Sequence, residues 1–438
     1  MKHMKRALSV LLLVVLLFSV GTGCQKESTG SATSEPAEQK VKLRISWWGS
    51  QQRNEATLKI LDMYTAKHPN VTFQPEYTSF AGYFEKLSSE AAANNLPDII
   101  QHDYSYIGQY VDKNLLLPLD DYIADSTLDL KNVSKSVSDA GSINGKMFGL
   151  NIAVNSRALI YDAALFKKAG VPLPTNDWTW DDYMNDALQI HEKLGIYGAE
   201  AMCGEEYEGF DHYLRQHGKT FYTDNGKSLG YTDDKLFEDF FGMELKLVKA
   251  KALPLPAERL EVKGVGDDFI VNGKAAMSGY VKHSNNIDEI TNDAKRPLTL
   301  VAFPGSKDQT QPGTYINPSQ FMTVFKNTKY PKEAVEFLNY FINDVDANKV
   351  LAAERGVPVS NTVREALRPQ MSEANKVQFD FLDSISTKVS PLPAPAPSGH
   401  AEIDTLLKNI EQQVLYEKIS LADAAKSFRT QATAILTK

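Results

Sequence analysis

VKLRISWW, residues 41–48, begins the part of the chain that decides the fold. Polar and apolar residues alternate along it before two tryptophans close it, a pattern typical of a buried strand. Gly49 ends the strand, and a helical pattern follows from about residue 53 to residue 67, before Pro69-Asn70 stops it. The stretch therefore indicates a strand that leads directly into a helix.

Two more strands and a second helix extend this pattern. Val71 to Tyr77 and Asp98 to Gln101 have the character of strands, and residues 81–93 that of a helix between them. The resulting βαβαβ order predicts a parallel sheet with helices on both faces. Because open sheets of this kind bind ligands at the carboxyl ends of their strands, the residues just after each strand are the predicted binding residues.

The body of the chain, residues 41–438, is longer than one hydrophobic core usually serves, so we expect two domains. Hydrophobic residues make up 42% of the sequence and aromatic residues 10%. Such a composition is typical of a globular protein and not of a disordered one.

The N-terminus predicts export. Lys2, Lys5 and Arg6 precede an apolar run over residues 7–20. The run is shorter than the roughly 20 apolar residues that a membrane-spanning helix needs. We therefore predict a cleaved signal peptide over residues 1–23.

Cys24 is the predicted lipidation site. It follows small residues in a motif that resembles a lipobox, although Gly21 stands where that motif usually has leucine. Residues 25–40 contain no aromatic and no β-branched aliphatic residue, so they cannot form a core. We predict that residues 24–40 are a lipidated, flexible tether that holds the body on the outer face of a bacterial membrane, with a length typical of Gram-positive bacteria.

The net charge and the cysteine content exclude some classes of binding partner and of covalent cross-link. The formal net charge of -8 becomes -11 once the three basic residues of the signal peptide are removed. Such a protein should be repelled by nucleic acid and by anionic lipid headgroups. Cys203 is the second of two cysteines, so lipidation of the first leaves no disulfide to form.

Five stretches of the chain resemble the recurring blocks of one family. They are, in chain order, LPDIIQHDYSYIGQYVDKNLLLPLDDYI (96–123), GKMFGLNIAVNSRALIYDAALF (145–166), PTNDWTWDDY (174–183), DFIVNGKAAMSGY (268–280) and ERGVPVS (354–360). They are similar to blocks of the extracellular solute-binding proteins of sugar ABC importers, family 1 sugar-binding lipoproteins. DDFIVNGK (267–274) and ERGVPVS are most similar to lipoproteins for uptake of pectin fragments such as rhamnogalacturonan oligosaccharides.

The resemblance implies an α/β protein of two lobes, of the type II, maltose-binding-protein-like class. Each lobe would hold a mixed, mostly parallel sheet flanked by helices, and the lobes would close on an oligosaccharide like a hinged trap. It also implies a monomer that presents its ligand to ABC permease subunits. Crossings between lobes are predicted at residues 151–156, 274–280 and 320–324. The predicted lobes are an N-terminal lobe of residues 41–152 and 278–325, and a C-terminal lobe of residues 153–277 and 326–438.

A sugar cleft needs flat aromatic surfaces for the rings and planar polar groups for the hydroxyls. Alternation predicts that one of Trp47 and Trp48 is buried and the other reaches the cleft, and we assign Trp48 to the cleft. The further residues predicted at strand ends are Tyr77, Gln101, Asp103 and Asn151, with Tyr104 beside them. For these residues the alternative is a capping or core role.

Later in the chain, Tyr280 stands where the resembled family often places an aromatic ring against the sugar. Lys282 and His283 lie beside it and are predicted to meet the carboxylate of a uronic acid. Tyr315 and Asn317 precede the third predicted crossing and complete the predicted ligand-binding set.

Signatures of common enzymes are absent from the sequence, which has no GxSxG, HExxH or GxxxxGK[ST] motif. His212 and His217 are five residues apart and would lie on different faces of a helix, which disfavours a metal site. We therefore expect no enzymatic activity, no cofactor and no metal. The alternatives are a secreted carbohydrate-active enzyme, which needs two carboxylates about 5 to 9.5 Å apart, and the same fold binding a metal ion or a polyamine.

Overall fold

The computed structural model describes residues 39–80, 82–204, 206–279 and 284–437. Within it, Lys40–Lys438 forms one compact unit. The predicted signal peptide, Cys24 and the tether as far as Glu38 lie outside the described residues, as do Tyr280, Lys282 and His283. In the part that is described, we find no helix with the length and apolar character needed to cross a membrane.

The strands of the described residues are β1 (Val41–Trp48), β2 (Val71–Thr78), β3 (Ile99–His102), β4 (Ser142–Ile143), β5 (Lys146–Met147), β6 (Leu150–Ser156), β7 (Leu159–Tyr161), β8 (Tyr197–Ala199), β9 (Ala275–Ser278), β10 (Thr299–Val301), β11 (Ile316–Val324) and β12 (Val357–Pro358).

The helices are α1 (Gln51–Lys67), α2 (Tyr83–Ala92), α3 (Tyr104–Asp112), α4 (Asp120–Ala124), α5 (Lys135–Ser138), α6 (Ala163–Ala169), α7 (Trp180–Leu194), α8 (Glu206–Gln216), α9 (Lys235–Lys249), α10 (Pro256–Arg259), α11 (Ile287–Ala294), α12 (Pro331–Asn343), α13 (Val345–Leu351), α14 (Asn361–Leu367), α15 (Glu373–Ile385), α16 (His400–Leu415) and α17 (Leu421–Leu436).

The first sheet has six strands in the order β12-β6-β11-β3-β1-β2. Its β1, β2 and β3 form where the sequence predicted strands, and β1 runs parallel to both neighbours. Strand β11 is antiparallel to β3 and to β6, so the sheet is mixed. On β1, Ile45 and Trp47 join one buried cluster and Trp48 joins another, as expected for a strand that is covered on both faces.

The second sheet has four strands in the order β10-β7-β9-β8. Leu159 and Tyr161 of β7 pack into an aromatic-rich core with α7, α8, α9, α16 and α17. Ile160 points to the opposite face, where α11 and α15 pack near β10. Two sheets, each covered by helices, make the two-lobed α/β architecture that the sequence predicted.

The passages between the sheets differ in part from the predicted ones. The first lies at residues 157–158, between β6 and β7, beside the predicted crossing. Strands β9 and β10 both belong to the second sheet, so the chain returns to the first sheet between β10 and β11, and the predicted crossing at 320–324 falls inside β11.

The assignment of the C-terminal part differs as well. Strand β12 pairs with β6, and α12 packs against β6 and β11, which places residues 331–358 in the first lobe and not in the predicted C-terminal lobe. Helices α15, α16 and α17 lie with the second lobe. Strands as short as β10 and β12 carry almost no periodic signal, so long-range pairing decides their place.

Candidate functional site

The carboxyl ends of β1, β2, β3 and β6 lie along one edge of the first sheet, because β11 runs antiparallel to both β3 and β6. The chain leaves this edge after β6 and enters the second sheet at Leu159. The edge therefore faces the second lobe. Since neighbouring strands lie about 4.8 Å apart, the edge from β11 to β2 is about 14 Å long, enough for several sugar rings.

Two tryptophans end β1, and both are largely buried. Trp47 has no exposed surface, and its indole Nε1 donates to Asn54 Oδ1 over 2.9 Å. Trp48 is 8% exposed and packs against Tyr83 and Phe84 on the other face of the sheet. Trp48 thus keeps a small exposed area, and both indoles serve mainly as a base on which other rings rest.

Two exposed rings rest on these indoles. Tyr77 is 46% exposed and stacks on Trp47 with 5.0 Å between ring centroids. Phe80 is 50% exposed and meets Trp48 edge-on at 5.5 Å. Large exposed aromatic side chains that are held rigidly from beneath are typical of binding surfaces.

The sequence analysis named Tyr77 and missed Phe80. Phe80 lies two residues beyond the end of β2, in the loop that leads to α2. Phe80 follows a strand of the parallel part of the sheet, and residues after such strands commonly bind ligands, so the sequence could have indicated it on that ground.

The predicted residues at the end of β3 have internal partners. Gln101 is fully buried; its Nε2 donates to Trp48 O over 3.2 Å, and its Oε1 accepts from Arg355 Nε over 3.3 Å. Asp103 caps α3 by accepting from Ser105 N over 2.8 Å. These contacts join the ends of β1 and β3 and start α3 at the sheet edge.

Asn151 and Asn155 lie on β6, which leads toward the second lobe. Asn151 is 3% exposed and its Nδ2 donates to Val137 O over a long 3.5 Å. Its Oδ1, like the Oδ1 of the buried Asn155, has no hydrogen-bond partner among the described residues. Asn155 stands opposite Asn317 in the register of β6 and β11. With Gln320 of β11, four amide side chains therefore share this ribbon, and the side-chain oxygens of Asn151, Asn155 and Gln320 have no hydrogen-bond partner among the described residues.

Tyr315 lies at the passage into β11, next to the passage that leaves β6. Ser156 Oγ donates to Tyr315 O over 2.9 Å, which joins the two passages. The guanidinium groups of Arg157 and Arg215 lie 5.5 Å and 4.9 Å from the centre of the Tyr315 ring, and Arg157 also pairs with Glu208 at 3.1 Å. The ring is thus held by two cations where the lobes join.

A proline-rich segment, SPLPAPAP (390–397), also joins the lobes, and we call it the strap. It connects α15 to α16. Ser390 N donates to Thr314 O over 2.9 Å, and Arg215 of α8 donates to Ser390 Oγ and Pro391 O. On the other side, Tyr104 of the first lobe donates its hydroxyl to Pro393 O over 2.9 Å.

The second lobe contains a buried cluster in which one arginine meets three carboxylates. Arg259 lies 2.6 Å from Glu411, 3.3 Å from Glu244 and 4.0 Å from Glu206. Burial, together with the neighbouring charges, raises the pKa of Glu206 to about 7 and that of Glu411 to about 8. The cluster therefore binds protons at neutral pH.

The site as described is suited to binding. Its exposed groups are the rings of Tyr77 and Phe80, whereas the amides of Gln101, Asn151 and Asn155 are buried. Among the described residues, no group of three or more His, Cys, Asp or Glu side chains is placed to hold a metal ion. The structure brings Trp48, Tyr77, Gln101 and Asp103 to the ends of β1, β2 and β3, and Asn151, Tyr315 and Asn317 to the β6–β11 ribbon.

Known proteins that are similar to this chain in structure or in sequence include several binding proteins. One is an extracellular solute-binding protein of family 1 from Alicyclobacillus acidocaldarius, 30% identical, covering 92% of this chain and all of that one with a TM-score of 0.84. Another is a periplasmic oligogalacturonide-binding protein from Yersinia enterocolitica, 24% identical, covering 90% and 98% of the two chains with a TM-score of 0.74. The arabinooligosaccharide-binding protein of Bacillus subtilis is 24% identical over 351 residues, which are 79% of this chain and 78% of the relative.

Residues 48–347 match the family model described as "Bacterial extracellular solute-binding protein". This match spans most of the described body, from the end of β1 to α13. The two-lobed, maltose-binding-like fold agrees with this match, as does the 30% identity to a family 1 protein over nearly the whole chain. The chain belongs to the bacterial extracellular solute-binding protein family.

Proposed function

We propose that this protein captures an oligosaccharide outside the membrane and delivers it to the permease of an ABC importer. The observation that carries the proposal is the pair of exposed rings, Tyr77 and Phe80, held on buried tryptophans at the sheet edge that faces the second lobe. Flat apolar surfaces of this kind suit the faces of sugar rings.

The polar groups beside the rings support the same ligand class. Free acceptor oxygens on Asn151 and Asn155 can accept hydrogen bonds from sugar hydroxyls when the lobes change their spacing. The site edge is about 14 Å long, which favours an oligosaccharide over a single sugar.

A fragment of pectin is the sugar we propose, on the similarity of DDFIVNGK and ERGVPVS to proteins for rhamnogalacturonan uptake. The names of two relatives, an oligogalacturonide-binding and an arabinooligosaccharide-binding protein, point to the same group of plant polysaccharides. We further propose that Lys282 and His283 face a uronate carboxylate.

We also propose that the mature protein is a monomer attached to the membrane of a Gram-positive bacterium by a lipid on Cys24. Radiolabelled palmitate should enter the protein in growing cells, and Cys24→Ser should abolish the label. Labelling that survives this substitution would contradict the proposed site of the anchor.

The first experiment measures thermal unfolding of the compact unit Lys40–Lys438 with pectic, arabinan, xylan and α-glucan oligosaccharides, with monosaccharides and spermidine as controls. A ligand at a hundredfold its Kd should stabilise the folded state by about 2.7 kcal/mol. Chromatography of the sugar afterwards should show it intact. Cleavage of the sugar would favour the enzyme alternative, and stabilisation by spermidine alone would favour a polyamine as the ligand.

A further inference from the structure

The segment AAERG, residues 352–356, leads from α13 to β12 and has an unfavourable backbone. Ala352 and Ala353 are both left-handed, with φ of 50° and 58°. Gly356 has φ of 110°, and a Cβ there would lie 3.0 Å from Val154 O. A left-handed conformation is unfavourable for alanine because its Cβ crowds the following carbonyl oxygen. Two such alanines in succession persist only where contacts elsewhere in the fold hold them.

Arg355 of this segment is buried and only partly hydrogen-bonded. It is 5% exposed. Its Nη2 donates to Thr57 Oγ1 over 2.8 Å, and its Nε donates to Gln101 Oε1 over 3.3 Å. Its Nη1 has no hydrogen-bond partner among the described residues, and the Glu354 carboxylate lies 3.9 Å from it. A buried donor without a partner lowers stability, so the segment keeps a second unfavourable feature beside its backbone.

The side chains of the segment reach the carboxyl end of β1. Gln101, which accepts from Arg355, donates through Nε2 to Trp48 O over 3.2 Å. Arg53 donates to the same carbonyl oxygen through Nη1 over 3.3 Å. The Nε of Arg53 donates to both carboxylate oxygens of Glu354, over 3.0 Å and 2.8 Å. Two side chains therefore hold the backbone of Trp48, and residues of the segment hold each of the two.

The end of β1 determines where the exposed rings of the site lie. Tyr77 stacks on Trp47, and Phe80 meets Trp48 edge-on. Groups that bind a ligand have to be held within about 0.5 Å of their productive positions by the residues behind them. The segment can provide such a hold, because it continues into β12 and is anchored there by pairing with β6.

We infer that residues 352–356 position the aromatic rings of the sugar site, with Arg355 as the central positioning residue. The unfavourable backbone is retained because it lets Glu354 and Arg355 fix the end of β1 from behind. The segment contributes to sugar affinity without touching the sugar. This inference rests on the proposed function, since the affinity concerned is that for the proposed ligand.

Arg355→Met keeps a long apolar side chain and removes the hydrogen bonds. Calorimetry with a rhamnogalacturonan tetrasaccharide and with arabinotriose should show a Kd raised at least about tenfold for the sugar that binds. Arg44→Met is the matched control. Arg44 lies on the same strand and donates to Glu76 and Asn95, away from the carboxyl end of β1. Its substitution should change the Kd less than about twofold.

A glycine variant separates positioning from folding. Ala352→Gly combined with Ala353→Gly removes the crowding at both left-handed residues, because glycine has no Cβ. The unfolding midpoint should therefore not fall, whereas the looser segment should raise the Kd about threefold or more. Lys295→Gly, at an exposed left-handed residue that ends α11, relieves the same crowding away from the rings and should leave the Kd unchanged. A segment that only stabilised the fold would not combine an undiminished midpoint with weaker binding.

Unfolding midpoints show which variants are folded at the temperature of the calorimetry. An unchanged Kd in folded Arg355→Met, or an equal rise in Arg44→Met, overturns the inference. If Arg355→Met does not fold, the glycine variant decides, and an unchanged Kd there overturns the inference. If neither sugar binds the unsubstituted protein, the proposed function fails and this inference fails with it, whereas sugar binding that none of these substitutions weakens overturns this inference alone.

Discussion

The sheet edge of the first lobe and the charged cluster of the second lobe use buried side chains in opposite ways. At the edge, neutral buried groups, chiefly Trp47 and Trp48, support two exposed rings. In the second lobe, Arg259 pairs with Glu206, which is largely buried, and with Glu244 and Glu411, which are fully buried. The comparison teaches that substitutions should separate ligand binding, which depends on the edge, from pH-dependent stability, which depends on the cluster.

Removal of the Arg259 guanidinium should have the largest effect on the free energy of unfolding. Above about pH 8, where Glu206 and Glu411 have lost their protons, Arg259→Leu leaves three largely buried carboxylates without their positive partner. Breaking a buried ion pair from one side costs about 3–5 kcal/mol. Urea unfolding should show the loss as a lower midpoint with an unchanged slope. Arg368→Leu is the matched control: its pairs with Asp380 and Asp383 are exposed, so the loss should stay below about 1 kcal/mol. Equal losses of stability in Arg259→Leu and Arg368→Leu would contradict the special role of the cluster around Arg259.

The pH dependence of stability should follow the same cluster. Glu206 and Glu411 keep their protons in the folded state up to about pH 7 and pH 8, whereas in the unfolded chain they ionise near their ordinary value. The folded state therefore binds more protons in this window, so this contribution to stability is complete at acid pH and is lost as pH rises through about 8.

Glu411→Gln removes one of these titrations. Unfolding in urea between about pH 5 and pH 9 should show a smaller decline in stability for the variant, by about 4 kcal/mol over the range. Glu402→Gln, a change on the same helix outside the cluster, provides the reference. If the stability of Glu411→Gln changes with pH as much as that of the unsubstituted protein, Glu411 does not hold a proton in the folded state at neutral pH.

Loss of the exposed rings should have the smallest effect on stability and a clear effect on binding. Tyr77→Ala and Phe80→Ala should each raise the Kd of the bound oligosaccharide about tenfold, since each ring offers its free face to a sugar, and should lower stability by less than about 1 kcal/mol. Leu173→Ala, at an equally exposed apolar residue of the second lobe, should change neither quantity. Calorimetry and thermal unfolding on the same samples decide between these results.

Local patterns predicted much of the first sheet. The alternation in β1 and the stop signal after α1 lie within single stretches of sequence. Thr179 and Asp182 form a capping box at the start of α7, which is also a local feature. The lobe boundaries were harder to predict because β10 and β12 are three and two residues long and find their sheets through distant partners.

Among the exposed rings of the candidate site, the sequence pointed to one and not to the other. Tyr77 lies at the end of a strand, where topology directs attention, whereas Phe80 lies in a loop. The cluster around Arg259 gathers residues from α8, α9, α10 and α16, separated by up to about two hundred positions in the sequence. No periodicity connects them, so only the folded chain shows that they meet.

The hydrogen bond from Tyr104 to Pro393 has a consequence for the rate of sugar release. It joins the first lobe to the strap through one neutral hydroxyl over 2.9 Å. Such a bond contributes about 1 kcal/mol, which corresponds to roughly a fivefold change in an equilibrium. If the two lobes open by separating the strap from the first lobe, this hydrogen bond slows release of the sugar by about fivefold. A delay of that size leaves each cycle of sugar capture and delivery fast.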